Sequence, residues 1–204
     1  MGNKLLIVLG VVAIALLALN HDSFTSAREE GFFYIPLAGT AAIAAVASLA
    51  ASIAFLRTRN FRFDAAAVAA TEVGLAFLAA AIVNGCCLTG YASGRFWSWD
   101  SGLTAALVCW LLYAAYLMLR QAVEEPTQRA TFAAAWSIFA FLDMPLVVVA
   151  MNWWKPGVHI PGDWTGARVC HLVALTMIAL LMATVRMRQE EARREIDSLR
   201  RSAQ

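Results

Sequence analysis

Ser93-Gly94-Arg95-Phe96-Trp97-Ser98-Trp99-Asp100-Ser101-Gly102-Leu103-Thr104 is a short aromatic and polar stretch between two long apolar runs. Two tryptophans, a phenylalanine, one acid and one base are costly in hydrocarbon and needlessly apolar for a loop in water. They suit a membrane interface, where an indole packs its faces and keeps its N–H wet. That reading decides the fold class, because the flanking runs then cross the bilayer. The chain is 61% hydrophobic and 15% charged, with a mean hydropathy of +0.65, far from the balance of a soluble domain. The runs do not alternate as barrel strands do. An all-α, polytopic integral membrane protein with six transmembrane helices is expected.

The six spans read as residues 5–19, 34–56, 65–88, 103–119, 132–151 and 169–185, each uncharged over most of the length needed to cross hydrocarbon. Lys4 and the run from Leu5 to Leu19 have the outline of a signal peptide but no clear cleavage site, so a retained first helix is expected. Arginines gather after spans two, four and six, at Arg57, Arg59, Arg62, Arg120, Arg129 and from Arg186 onward. The opposite loops carry Arg28, Arg95, Lys155 and Arg168. The positive-inside rule puts both termini in the cytoplasm. The expected division is a membrane domain over 1–186 and a charged, helical cytoplasmic tail over 187–204.

With that topology, the tryptophan-bearing loops share the outer face. Trp97 and Trp99 lie in one loop and Trp153, Trp154 and Trp164 in another, while the cytoplasmic loops hold no tryptophan. A belt would populate both interfaces, so the asymmetry points to a site. His159 sits beside Trp153 and Trp154, between Pro156 and Pro161, and a neutral imidazole is a good axial ligand for haem iron. A porphyrin is flat and apolar with two carboxylates at one edge. Tryptophan faces, a histidine and Arg95, Lys155 or Arg168 match those properties. Glu72, Asp64 and Asp143 are acids within or near spans, where an unpaired charge is expensive. Asp143 reads as a hydrogen-bonding group at a bend made by Pro145, and Asp100 as the cap of the following helix. The adjacent Cys86 and Cys87 raise thiol chemistry as an alternative.

These segments together resemble the cytochrome c assembly family, whose members carry a tryptophan-rich (WWD) domain. Ser93 to Thr104 matches its motif at Gly94, Trp97, Trp99, Asp100, Leu103 and Thr104. Asp143-Met144-Pro145 and Trp153-Trp154 followed by His159 match a second element, and Phe33-Tyr34-Ile35-Pro36 a third. The resemblance implies a carrier, not an enzyme, in the bacterial inner membrane. It would bind haem b non-covalently at the outer face and hand it over during cytochrome c maturation. The implied partners are a periplasmic haem chaperone and ATP-binding-cassette subunits. Carried over by position, the cofactor-binding residues are His159, Tyr34, Trp97, Trp99, Asp100, Trp153, Trp154 and Arg95, with His159 and Tyr34 on the iron. Tyr34 stands where the family has a histidine, Gly102 where it has an arginine, and Ser93 and Phe96 where it has tryptophans. His21 or His171 could replace Tyr34 as second ligand. The alternatives are a membrane oxidoreductase using Cys86 and Cys87, or an assembly subunit that no longer binds haem.

Overall fold

A computed structural model describes residues 10–15, 33–145 and 166–202. All the regular structure among them is helical. Five long helices follow one another: α1 Tyr34–Thr58, α2 Phe61–Ser93, α3 Ser101–Ala122, α4 Pro126–Phe141 and α5 Gly166–Ser202. Residues 10–15 are helical too. Four segments are long and apolar enough to cross a membrane: Tyr34–Thr58, Phe61–Gly90, Gly102–Ala122 and Arg168–Arg193. Those are four of the six expected spans. Of the first, only 10–15 is described. The fifth appears as the 16-residue α4, about 24 Å long, and its residues 146–151 lie outside the described part. His21, Trp153, Trp154, Lys155, His159 and Trp164 also lie outside it.

Local chemistry sets the helix ends. Pro36 is the third residue of α1, where its missing N–H would have no intrahelical acceptor anyway. Only Arg59 and Asn60 separate α1 from α2. Arg59 takes a left-handed conformation (φ 55°), and the Asn60 side chain caps α2 by accepting from the Arg62 N–H at 3.0 Å. Thus α2 starts at Phe61, four residues before the apolar run suggests, and carries Asp64 inside its first turn. α4 stops at Phe141, and the Leu142 N–H bonds back to the Phe139 carbonyl at 3.1 Å. The cause is Pro145, whose ring would strike the carbonyl four residues earlier, that of Phe141. The regular α-helix is thus interrupted beside Asp143, at Leu142, which keeps helical angles (φ −63°, ψ −21°).

α1 and α2 form the central antiparallel hairpin. α5 packs on both of them, α3 on α2 and α4, and α4 also on α1. Small side chains let the helices approach closely. α1 buries Ala41, Ala44, Ala45, Ser48 and Ser52, and a Cβ on Gly74 of α2 would come 3.1 Å from the Ala44 Cβ. Polar groups tie the hairpin to α4. Ser48 is 2.8 Å from the Thr71 hydroxyl and 3.2 Å from that of Ser137. Val46, Val83, Leu111, Met118 and Phe139 are exposed on the outside of the bundle, as suits a surface solvated by lipid.

Candidate functional site

The tryptophan loop is held at both ends. At its start Gly94 adopts φ 70°, and its N–H closes α2 on the Gly90 carbonyl at 3.0 Å. Gly90 also makes room for the Phe96 ring, which a Cβ there would meet at 3.2 Å. At its end Asp100 caps α3. One carboxylate oxygen accepts the Leu103 N–H at 2.9 Å and the other accepts the Ser98 hydroxyl. Within this frame Trp97 and Trp99 meet edge to face, with centroids 5.5 Å apart and planes at 80°. Trp97 is half-buried and its indole N–H has no hydrogen-bond partner. Trp99 is 77% exposed. One indole therefore anchors the loop while the other presents a free face. Arg95 is exposed on the same loop.

Tyr34, the first residue of α1, is buried. Gly85 of α2 leaves space for it and for the start of α3. A Cβ at Gly85 would lie 3.2 Å from the Tyr34 ring and 2.7 Å from a Leu103 methyl. Asp100 is close enough to act electrostatically on the Tyr34 phenol. Phe33 meets the ring of His171 edge-on at 5.4 Å, which brings the first turns of α5 against the start of α1. His171 and Arg168 are 2% and 3% exposed. The structure thus collects Tyr34, Trp97, Trp99, Asp100, Arg95, Arg168 and His171 at one end of the bundle. It does not describe His159, Trp153, Trp154, Lys155 or His21. Asp100 spends its carboxylate on the loop and helix cap, the local role its sequence position suggests.

The family model described as Cytochrome C assembly protein matches residues 1–159. The chain belongs to that family. It is 27% identical over 160 residues to the Heme exporter protein C of Bradyrhizobium diazoefficiens, covering 73% of this chain and 61% of that protein. It is 28% identical over 180 residues to the Heme exporter protein C of Paracoccus denitrificans, covering 82% and 75%. It is also 41% identical over 103 residues to a Cytochrome c biogenesis protein CcsA of a Synechococcus species, covering 50% and 33%. The chain thus spans under two-thirds of the Bradyrhizobium protein's length. The names of these relatives refer to haem export and to cytochrome c biogenesis.

The opposite end of this family member is rich in paired charge that sequence reasoning did not resolve. Arg120 of α3 grips Asp64 of α2 with two bonds of 2.6 and 3.0 Å, and both residues are buried. Arg186 of α5 makes a two-pronged contact with Glu72 of α2, one prong at 2.7 Å. Glu72 therefore has a structural partner. The available signal was depth: Asp64 lies in the first turn of α2 and Arg120 in the last turn of α3, which neighbour in space once α2 and α3 run antiparallel. Cys86 and Cys87 are free thiols, half-buried and exposed, in consecutive positions of one helix. Adjacent Cα atoms lie about 3.8 Å apart, below the usual disulfide range.

Proposed function

We propose that this family member binds haem b non-covalently at its tryptophan end and hands it on during cytochrome c maturation. The observation that carries the reading is the capped Trp97–Trp99 loop beside buried Tyr34 and His171. It offers a fixed indole face, with an aromatic hydroxyl and an imidazole at the same end. Trp97, Trp99, Trp153 and Trp154 form the platform. His159 is one axial ligand, and Tyr34 stands opposite it, with His171 the alternative already in the same corner. Arg95, Lys155 and Arg168 serve the propionates. The protein acts as a carrier, and the haem leaves chemically unchanged. It resides in the bacterial inner membrane with six spans, both termini in the cytoplasm and the tryptophan end outside. There it meets a periplasmic haem chaperone and works with ATP-binding-cassette subunits.

The test is the visible spectrum of the chain purified in detergent from a haem-sufficient host. A Soret band is expected in the wild type and its loss or shift in His159→Ala. Tyr34→Phe and His171→Ala then identify the opposite ligand by which one moves the band. A wild type with no band, even after haem is added, overturns the reading. If function in cytochrome c maturation is lost in Cys86→Ser/Cys87→Ser and kept in His159→Ala, the oxidoreductase reading replaces it.

A further inference from the structure

A cavity of about 350 Å³ lies between α1, α2 and α3, with Met144 also in its lining. That is within the range of roughly 300–1,000 Å³ for small-molecule sites. Its walls are Ala and Gly on α1 and α2, Ala38, Ala42 and Gly74 among them, which leave space where larger side chains would fill it. On α1 the lining runs from Tyr34 to Ala45, about 16 Å along the helix axis. An elongated, largely apolar slot of that length has the shape of a hydrocarbon chain.

One wall is polar. Tyr113 lines the cavity with Cys109, is 4% exposed, and its hydroxyl has no hydrogen-bond partner. A buried donor left unmade costs free energy, so such groups ordinarily have partners. Asp143 lies close enough to Tyr113 and Cys109 to act on them electrostatically. Among the described residues no cation lines the cavity, so an anionic ligand would gain no partner from them.

We propose that the cavity between α1, α2 and α3 binds a neutral single-chain lipid carrying a carbonyl at its end, with Tyr113 donating to that oxygen. A protonated long-chain fatty acid has this chemistry. The site meets the haem reading only at Tyr34, at one end of its lining, and uses none of that reading's histidines.

The probes are 2-tridecanone and tridecane, matched in chain length, added to the full chain in detergent and followed by native mass spectrometry. One ketone per chain is expected, held about fivefold better than the alkane, the worth of one ordinary hydrogen bond. Tyr113→Phe keeps the shape and should bring the ketone-to-alkane ratio close to one. Ala42→Phe should fill the slot and abolish both adducts. The proposal is overturned if neither probe gives a saturable one-to-one adduct, or if the wild-type ratio is already one. It is also overturned if Tyr113→Phe leaves the preference intact. The Soret band of the wild type is read in the same samples, so a failure here is distinct from a failure of the haem reading.

Discussion

Arg120 and Asp64 bring opposite charges together where neither can reach bulk water easily. Removing one partner takes a two-pronged, buried bond from the other, which is the expensive half of a buried pair. Arg120→Met is therefore expected to lower unfolding stability by about 3–5 kcal/mol, whereas Asp64→Leu combined with Arg120→Met should recover most of that loss. Reversible unfolding in mixed micelles checks this, and a double variant as weak as the single one contradicts it. Ser48 makes a gentler test. Ser48→Ala deletes the bonds to Thr71 and Ser137 and should cost about 0.6–1.7 kcal/mol, the scale of interhelical hydrogen bonds in membranes. At this scale the sequence was legible where chemistry is local. Asp100 could be read as a cap because its acceptor role is served three residues away. The Asp64–Arg120 pair spans 56 positions, and composition alone does not say which faces of α2 and α3 meet. The same applies to the unpartnered Tyr113 hydroxyl, whose meaning depends on the empty space beside it.

Among the elements, α4 shows how two residues outside a helix define it. Glu125 accepts from the Thr127 and Gln128 N–H groups at 3.1 and 2.6 Å, and those bonds hold its carboxyl below the usual glutamate range. A depressed folded-state value means that the cap's contribution is complete above the unfolded value and is lost as pH falls through the folded one. The amide shifts of Thr127 and Gln128 should therefore titrate with a midpoint below that of an ordinary glutamate. A midpoint at or above it rejects the cap as an electrostatic device. At the other end, Pro145 fixes where α4 stops. The loop between α2 and α3 is equally constrained. Gly85→Ala would press a methyl to 2.7 Å from Leu103 and 3.2 Å from Tyr34. Such overpacking commonly costs about 1–3 kcal/mol, and a thermal shift together with altered tryptophan fluorescence should report it. The apolar runs and the break at the D-x-P stretch were readable in advance. The extension of α2 back to Phe61 was not, because Arg62 and Asp64 break the apolar run while the Asn60 cap and the Arg120 partner keep the helix intact.

For the whole molecule, the arginine-rich end and the tryptophan end are separated by the length of the bundle, and Cys87 is exposed on the last turns of α2 toward the tryptophan end. Cys87 itself lies within the span Phe61–Gly90, so the reporter is Arg95→Cys as the sole cysteine, on the exposed loop, which a membrane-impermeant maleimide should label in intact spheroplasts. With Ala192→Cys as the sole cysteine, on the exposed part of α5, labelling should require opened membranes. The reverse pattern inverts the proposed topology. Charge bias and tryptophan bias were both visible along the sequence because the bilayer sorts residue types by depth. The helix order around the central hairpin was not visible, since every run is apolar and the choice of neighbours rests on small residues such as Gly74 and Ala44.

One feature links those two ends mechanically. α5 is continuous from Gly166 to Ser202, touches Phe33 through His171 near its start, and is latched to α2 through Arg186 and Glu72. His171 lies about 22 Å from Arg186 along the helix axis, and Ser202 about 24 Å beyond it. Two contacts at different depths fix both the tilt and the rotation of a rigid helix, so the register of α5 against the α1–α2 hairpin is set at His171 and Arg186 together.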